Sequence, residues 1–222
     1  MISLDARLKC IYDAVGYCDC IADIGSDHAR LLIALMQSKR IKRAIACDIN
    51  EGPLERSRKN AAAHNITEIE FYLSDGFDSI LHCSFDKASI CGMGGILISE
   101  IIRRGGEKAH CGLILQPMTA HSELRAFLWN NGYSISCESF AVESGKPYVV
   151  ISAHYSGIKE SYRYSDLYLG KIRPETPEFK AYCKKVSAQA RMRLKGAMLT
   201  GGMTKNLSEL IEQCRYYTDI II

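Results

Sequence analysis

The sequence predicts an α/β fold in which a mostly parallel sheet ends in an antiparallel hairpin and a small α-helical domain follows. Three observations lead to this prediction. Strand-like apolar runs alternate with helical stretches up to about residue 132, which is typical of right-handed βαβ units. Two strand-like runs then follow with only ESGK between them, a connection that allows only an antiparallel pair. Beyond His154 the alternation stops, and two helical stretches close the sequence.

Each element is predicted from its hydrophobic period. The first is a helix, because one helical face collects Leu4, Leu8, Ile11, Tyr12 and Val15. The predicted strands are CIADIG, RAIACDI, IEFYLSDG, FDKASICGMGG, CGLILQP, YSISCESFAV and PYVVISAHY. The helices between them are Asp27 to Ser38, GPLERSRKNAAAHN, ILISEIIRR and AHSELRAFLWNNG. Such a sheet resembles the Rossmann-like sheet of class I S-adenosylmethionine (SAM) methyltransferases, whereas a nicotinamide-binding domain has no reason to end in a hairpin.

A domain boundary is predicted near residue 155. Residues 1–155 would form the SAM-binding domain, and residues 156–222 a coiled-coil-like helical hairpin. Its helices are predicted from about Glu178 to Leu199 and from about Lys205 to Tyr216, separated by TGG. Residues 156–222 contain 12 Lys and Arg against 7 Asp and Glu, whereas residues 1–155 contain 16 against 18. The basic charge of the hairpin favours a polyanionic partner.

Two uses of the helical hairpin stay open. Its basic side chains and the segment KRIKR at 39–43 are candidates for phosphate contacts, although charged helix faces are usually only solvated. Those of the hairpin are Lys184, Lys185, Arg191, Arg193 and Lys195. An apolar stripe would instead allow dimerisation, and it consists of Val186, Met192, Leu194, Leu199, Leu207, Leu210 and Ile211. The chain is therefore predicted to be a monomer or a homodimer through the C-terminal helices.

Composition sets further bounds. With 222 residues, of which 47% are hydrophobic, the chain can bury a core. No apolar run reaches the roughly 18 residues of a membrane helix, and MISLDARLKC lacks the apolar centre of a signal peptide. We therefore expect a cytoplasmic location and no membrane partner. The ten cysteines lie singly, mostly in apolar runs, so we expect buried thiols and no metal site.

The turn after the first predicted strand gives the first indication of a site. ADIGSDHA contains one glycine, Gly25, where a dinucleotide-binding loop needs three to admit a pyrophosphate. Asp27 stands at the second glycine position, and its carboxylate would repel a pyrophosphate. A cationic ligand without phosphate, such as SAM with its sulfonium and α-ammonium, suits Asp23 and Asp27 instead. The alternative is that Ser26 or Asp27 only caps the next helix.

Two further acids stand at predicted strand ends. Asp48 closes the second strand, 23 residues after Gly25, where an acid binds ribose hydroxyls. Asp75 closes the third strand, where it would accept from an adenine amino group. Each match alone is weak because Asp often ends strands, but their order at successive strands favours a cofactor site. The predicted cofactor-binding residues are Asp23, Gly25, Ser26, Asp27, Asp48, Ile49, Asp75, Gly76 and Gly92.

The fourth predicted strand ends in CGMGG, which has three glycines in four positions. Such a run removes side chains where a flat group lies against the backbone, although a flexible turn would also use one or two glycines. No Asn-Pro-Pro-Tyr-like motif for exocyclic amines is present, which favours a ring nitrogen as acceptor. We expect Gln116, at the end of the fifth strand, to read a base edge. The predicted substrate-binding residues are Met93, Gly94, Gly95, Gln116 and Pro117.

DIGSDHA, CDINEGPL, CGMGG and LILQP, in this order, resemble the bacterial TrmK family of tRNA (adenine-N1)-methyltransferases, which act on adenosine 22. The resemblance covers the whole chain and implies SAM as methyl donor, tRNA as partner and 1-methyladenosine as product. The base would have to unstack, because N1 lies on its pairing edge. Asp27 is the candidate that stabilises the cationic product. His28 is either a proton acceptor or orienting group, or only a polar residue in the first helical turn that bonds to backbone.

Two other function classes stay open. A methyltransferase of a small molecule or protein would bind SAM without affinity for tRNA. A non-catalytic RNA-binding module on the same fold would bind tRNA even after the loss of Asp48. An NAD oxidoreductase is disfavoured by Asp27 and by the closing hairpin.

Overall fold

The computed structural model describes residues 2–200 and 204–219, with the backbone alone at 199 and 200. The strands are β1 (Cys20–Ile24), β2 (Arg43–Asp48), β3 (Ile69–Leu73), β4 (Lys87–Gly94), β5 (Gly112–Thr119), β6 (Tyr133–Glu143) and β7 (Lys146–Tyr155). The α-helices are α1 (Ala6–Val15), α2 (Arg30–Gln37), α3 (Glu51–Ala63), α4 (Gly95–Gly105), α5 (His121–Asn130), α6 (Tyr164–Leu169), α7 (Pro177–Thr200) and α8 (Thr204–Asp219).

The strands form one sheet in the order β3-β2-β1-β4-β5-β7-β6. Strands β1 to β5 run parallel, and β7 pairs antiparallel with both β5 and β6. The predicted mostly parallel sheet and its closing hairpin are both confirmed. The strand order reverses direction between β1 and β4, and in open α/β sheets this is where ligands bind. We call the side at which β1 to β5 end the carboxyl edge.

Helices cover both faces of the sheet and bury its central strand. All five residues of β1 are buried. On one face Ile11 of α1 and Leu32 of α2 belong to a buried cluster, and on the other face Ile98 of α4 and Leu124 of α5 do so. Because close-packed interiors deform little, the strand ends at the carboxyl edge are held in fixed positions.

The helix after β1 begins later than the sequence predicts. Gly25 and Ser26 continue along β2, because their N–H groups both donate to the Cys47 carbonyl, at 2.8 and 2.7 Å. Ser26 is buried, and its own carbonyl accepts from the Ser57 hydroxyl at 3.0 Å. The chain is therefore still held in the turn beside β2 where the prediction placed the start of a helix at Asp27.

Two left-handed residues then turn the chain into α2. His28 and Ala29 have φ angles of 62° and 48°, and the helix starts at Arg30 with Ala29 as an N-cap that makes no side-chain bond. Neither Ser26 nor Asp27 caps this helix, so the capping interpretation is wrong. The placement of His28 in the first helical turn is wrong as well.

The C-terminal helices share a core with the sheet. Phe179 and Tyr182 of α7 are buried, and their rings lie 4.9 and 5.1 Å from that of Phe140 in β6. Beside them, Arg125 of α5 and Glu138 of β6 form an ion pair at 2.7 Å with both side chains 0% exposed. The methyltransferase-like sheet and the helical hairpin are thus joined by one continuous interior.

Arg125 also ties α6 and α7 to this joint. Its Nη1 donates to the carbonyl of Leu167 at 2.9 Å, and the Tyr182 hydroxyl donates to the carbonyl of Tyr168 at 3.1 Å. Burial lowers the pKa of Arg125, but Glu138 and Tyr182 together raise that pKa further, so the guanidinium stays charged. The interior therefore contains a charged group that only the assembled joint satisfies.

Much of the predicted apolar stripe packs inside the chain. Its buried members are Val186, Leu207 and Leu210, and its partly buried members are Leu194 and Ile211. Met192 is 74% exposed. The side chain of Leu199 and the two glycines of the predicted TGG loop lie outside the described residues.

The long helix α7 extends past the carboxyl edge. It begins beside the middle of β6, where Glu178 and Cys137 line the same groove, and Lys185 Nζ then donates to the Pro147 carbonyl at 3.5 Å. Pro147 lies at the start of β7, which is at the carboxyl edge because β7 runs antiparallel to β5. The 15 residues that follow Lys185 add about 22 Å of helix after this contact.

Within the described ranges, no helix is long and apolar enough to cross a membrane. The ten cysteines are free thiols. The same described residues contain no group of three or more side chains placed to hold a metal ion.

Candidate active site

A cavity of about 290 Å³ opens at the carboxyl edge, between the ends of β1 and β4 and the helices α1 and α2. It brings together five residues predicted from the sequence, namely Asp23, Gly25, Asp27, His28 and Gly92. Its lining also includes three residues that the sequence did not indicate, namely Arg7, Arg30 and Cys91. The predicted turn after β1 and the glycine run at the end of β4 therefore belong to one site.

Asp23 is the buried carboxylate of this cavity. Its side chain accepts from the Ser89 hydroxyl at 2.7 Å, and the residue is only 8% exposed. Burial raises the pKa of Asp23, and the hydroxyls of Ser89 and Ser26 offset only part of that rise. Among the described residues no basic side chain pairs with Asp23. A cationic group entering the cavity would supply the missing partner.

Two guanidinium groups line the same cavity. Arg7 Nη1 donates to the Gln116 amide oxygen at 2.9 Å and lies beside Gly92. Arg30 donates to the Ser3 carbonyl at 2.8 Å, and its Nη1 lies 3.3 Å from an Asp5 carboxylate oxygen. A buried acid that shares a cavity with two guanidinium groups is complementary to the ammonium and carboxylate of an α-amino acid.

Asp27 and His28 lie at the mouth of the cavity. Asp27 Oδ1 is 3.5 Å from His28 Nε2 and 3.2 Å from Arg56 Nη2. The side chains of Asp27 and His28 are 59% and 48% exposed. Asp27 is therefore accessible to a cationic ligand, but it already forms an ion pair with Arg56. The sequence did not predict this pair.

Asp48 and Ile49 lie at the adjacent strand end, as predicted. Asp48 is the last residue of β2, and one of its carboxylate oxygens accepts from the Asn50 N–H at 2.8 Å. The other oxygen has no partner within the described part of the chain, so it is free to accept from a hydroxyl. Ile49 is 62% exposed, which leaves an apolar surface beside the acid. These two residues suit a ribose and an adjoining flat ring.

Asp75 differs from its prediction in place and in partners. β3 ends at Leu73, so Asp75 lies in the following loop rather than at the strand end. Both its oxygens accept from Arg104 of α4, at 2.7 and 2.8 Å, and this hydrogen bonding lowers the pKa of Asp75. Gly76 is a turn residue with φ 66° whose carbonyl accepts from the Ser74 hydroxyl. An adenine amino group would have to compete with Arg104.

The three glycines at the end of β4 and the start of α4 serve different purposes. Gly92 has φ 77° and is exposed in the cavity, so it admits a ligand close to the backbone. Gly95 is buried, and a Cβ there would collide with the Ala120 carbonyl. A Cβ on Gly94 would approach the Thr119 hydroxyl to 3.1 Å. The expectation that all three make room for substrate is wrong for Gly95, which makes room for the β5–α5 turn.

Gln116 and Pro117 are buried rather than exposed to a base. The Gln116 amide accepts from Arg7 and donates to the Pro117 carbonyl at 2.9 Å. Direct base reading by Gln116 is therefore contradicted, because its polar atoms are engaged inside the protein. The amide instead fixes the position of Arg7, whose helix crosses the end of β5.

The basic residues predicted for phosphate contact fall into separate places. The segment 39–43 ends at Arg43, the first residue of β2, and so lies at the edge of the sheet opposite the cavity. Lys185 donates to the Pro147 carbonyl, and Arg193 donates to the Tyr168 hydroxyl at 2.9 Å. Lys184 and Arg191 instead line a groove of about 520 Å³ between α7 and α8. Only part of the predicted basic set faces a groove.

The sheet order, the closing hairpin and the acids of the carboxyl edge define a Rossmann-like methyltransferase domain. A family model described as "Methyltransferase domain" matches residues 4–151. The chain therefore belongs to the methyltransferase-domain family, and within it to the TrmK family. A curated relative from Bacillus subtilis, tRNA (adenine(22)-N(1))-methyltransferase, is 31% identical over 68% of this chain. The match spans 65% of the length of that relative.

Solved structures extend the similarity over nearly the whole chain. A Streptococcus pneumoniae protein described as a candidate tRNA (m1A22) methyltransferase, in complex with S-adenosyl-L-methionine, is 29% identical. It superposes with a TM-score of 0.82 over 98% of this chain and 100% of that one. Mycoplasma capricolum TrmK in complex with S-adenosylhomocysteine (SAH) is 26% identical, with a TM-score of 0.81 and 99% of each chain covered.

Proposed function

We propose that this protein transfers a methyl group from SAM to N1 of adenosine 22 in tRNA. The observation that carries the proposal is the cavity that buried Asp23 shares with Arg7 and Arg30, because Asp23 has no basic partner among the described residues. Its charges match the amino-acid end of SAM. The B. subtilis relative acts on adenine 22 of tRNA, and the S. pneumoniae and M. capricolum relatives bind SAM or SAH. Both facts support the same cofactor and substrate here.

Each half of the cofactor has suitable residues. Asp23 would bind the ammonium, and Arg7 and Arg30 the carboxylate. Gly25 and Gly92 would let the backbone approach the ligand. Asp48 would accept from the ribose hydroxyls, with Ile49 against the adenine. The acids, the two glycines and Ile49 lie at the ends of β1, β2 and β4, as this fold class requires, whereas Arg7 and Arg30 come from α1 and α2.

The chain's remaining task is to place the acceptor nitrogen. When bound, SAM supplies an electrophilic methyl group on its sulfonium. A ring nitrogen with an in-plane lone pair needs no base before attack, so alignment contributes most of the rate. Asp27, at the cavity mouth, would stabilise the positive charge that develops on the base. His28, 3.5 Å away, would orient that carboxylate.

The direction of α7 supports a long polyanionic substrate. Its distal part extends past the carboxyl edge, and the α7–α8 groove presents Lys184 and Arg191 together with the hydroxyls of Ser187 and Thr218. A tRNA bound over the cavity would pass this groove, where cations contribute affinity that falls with salt.

We further propose that the enzyme works as a monomer in the cytoplasm, where tRNA occurs. The apolar stripe that would support a dimer packs largely inside the chain, at Val186, Leu207 and Leu210. Sedimentation at several protein concentrations tests this point, and a dimer at micromolar concentration would contradict it.

The test of the function is mass spectrometry of nucleosides from unmodified tRNA incubated with the protein and SAM. We expect 1-methyladenosine with the wild type and with Asp13→Ala, which alters an exposed acid on α1 that does not line the cavity. Asp48→Ala should remove the signal. SAM binding without methylation of any tRNA would favour a small-molecule or protein substrate. Binding of tRNA without SAM would favour a non-catalytic RNA-binding module.

A further inference from the structure

The side chain of Met93 lies where the proposed cofactor has to enter. Its terminal methyl occupies the open face of Gly25, so that a Cβ on Gly25 would collide with Met93 Cε. Gly25 has φ 78° and is the one glycine of the first turn. The space that the missing side chain opens for a ligand is thus filled by a flexible side chain from the neighbouring strand.

The backbone of β4 is shaped to aim Met93 in this direction. The pairing of β4 with β5 shifts register on both sides of Met93, from Cys91 opposite Gln116 to Met93 opposite Pro117 and then to Gly94 opposite Thr119. Such bulges redirect a side chain next to a site. Glycines on both sides mean that no side chain of an adjacent β4 residue restricts Met93. Met93 is half-buried and packs at the margin of the core, so part of its side chain is exposed.

The cavity boundaries agree with this placement. Among the described residues, the cavity lining includes Asp23 and Gly25 but not Asp48 or Met93. A ligand that contacts both Asp23 and Asp48 has to pass over Gly25, the point that Met93 covers. Methionine is suited to such a position, because its unbranched thioether changes rotamer at low cost.

We propose that Met93 is a gate between the amino-acid and nucleoside halves of the cofactor site. In the free protein its methyl covers Gly25, and the side chain swings away when the cofactor binds. The inference rests on the proposed SAM site. The gate would slow cofactor association, because only the molecules in which Met93 has moved can bind the cofactor.

The first test is NMR of protein labelled with ¹³C at the methionine methyl groups, titrated with SAH. Met93→Leu assigns the resonance. We expect an NOE between the Met93 methyl and the Gly25 Hα protons in the free protein and its loss on saturation with SAH. The methyl of Met192, 74% exposed on α7, should not shift. An NOE that persists in the SAH complex would overturn the gate.

The second test is stopped-flow measurement of SAH association. Met93→Ala should raise the association rate constant by about threefold or more, because the covered state is removed. Met93→Leu, which keeps the volume but stiffens the side chain, should lower it. Met192→Ala is the matched control and should not change it. Equal rates in all four proteins would overturn the gate alone. A wild type that binds no SAH would overturn the proposed function as well.

Discussion

Asp23 and Glu138 are both buried carboxylates, but they are satisfied in different ways. Glu138, at the joint between sheet and helical hairpin, has the guanidinium of Arg125 at 2.7 Å. Asp23, at the carboxyl edge, has the hydroxyl of Ser89 and no basic partner among the described residues. An unpaired buried charge is costly. The charge of the first acid is therefore balanced by the fold, although its Oε2 is buried without a hydrogen-bond partner, whereas the charge of the second is left for a ligand to balance.

The presence or absence of a basic partner therefore distinguishes a structural carboxylate from a ligand-binding one. Removal of Arg125 from the joint should lower the free energy of unfolding. Ligand affinity should then fall only to the extent that fewer molecules are folded. Removal of the acid at the carboxyl edge should cost ligand affinity and leave stability intact or improved. Two substitutions, Arg125→Met and Asp23→Asn, test these expectations. Two others, Asp27→Ala and Arg191→Ala, extend the comparison to catalysis and to tRNA binding.

The largest effect is expected from Arg125→Met. It leaves Glu138 buried without a cation, so the free energy of unfolding should fall by about 3–5 kcal/mol. Urea unfolding followed by circular dichroism measures the loss. Lys171→Ala breaks the partly exposed pair with Glu160 and should cost under about 1 kcal/mol. The double variant Arg125→Met/Glu138→Leu should recover most of the stability. A similar small loss in both single variants would remove the distinction between the joint and the surface.

Asp23→Asn should weaken SAH binding by about 10- to 100-fold, because the ammonium loses its buried counter-charge. Asparagine keeps the acceptor for Ser89, so folding should not suffer. Isothermal titration calorimetry measures the affinity, with Asp13→Asn as a control that should bind like the wild type. An unchanged affinity for Asp23→Asn would mean that the ammonium binds elsewhere.

The stability of Asp23→Asn relative to the wild type should change with pH in a definite direction. The pKa of Asp23 is raised in the folded state because the carboxyl is buried. Between its unfolded and folded pKa values, the folded protein binds more protons, so ionisation of Asp23 reduces stability as the pH rises. Asp23→Asn removes this loss. Its gain in unfolding free energy over the wild type should be larger at pH 7 than at pH 4, and an inverse trend would show that Asp23 is paired.

Asp27→Ala should lower kcat for tRNA methylation by about tenfold while the SAH affinity stays within a factor of about two. The carboxylate is needed for charge on the base rather than for the cofactor. Single-turnover assays separate the two. Arg56→Ala frees Asp27 of its partner and should not lower kcat. If Asp27→Ala has wild-type kcat with the cofactor bound, Asp27 has no part in the chemistry.

The smallest effect is expected on the helical hairpin. Arg191→Ala should weaken tRNA binding a few-fold and reduce the slope of log affinity against log salt concentration by about one, because one phosphate contact is lost. Lys39→Ala, which lies before β2 at the opposite edge, should leave both values unchanged. Binding by fluorescence anisotropy at several salt concentrations provides the comparison. Equal losses of tRNA affinity in both variants would mean that Arg191 makes no specific contact with the tRNA.

The features of the carboxyl edge that the sequence predicted are local ones. Asp48 and Gly25 follow apolar runs, and a run that ends in an acid or a glycine marks a strand end directly. The sheet then brings them together, since parallel strands end on one side. The fold class was predictable for the same reason, because it depends on alternation and on one short hairpin connection.

The contacts that were missed join distant parts of the chain. Arg7 reaches Gln116 across 109 positions, so no spacing rule would pair them, and this bond is why Gln116 cannot read a base. Arg104 occupies Asp75 in the same way. The late start of α2 follows from two N–H groups that both donate to the Cys47 carbonyl. Each difference arises from a tertiary partner that overrides a local preference.

The joint around Arg125 also bears on synthesis of the protein. A nascent chain that has emerged only as far as Tyr155 contains all seven strands and both members of the Arg125–Glu138 pair. It still lacks the Leu167 carbonyl and the rings that cover Phe140. Chains emerge at about 5–20 residues per second, so for several seconds the finished sheet exposes an apolar face and a half-solvated ion pair. Until α6 and α7 emerge and cover it, that apolar face is exposed to aggregation and to chaperones.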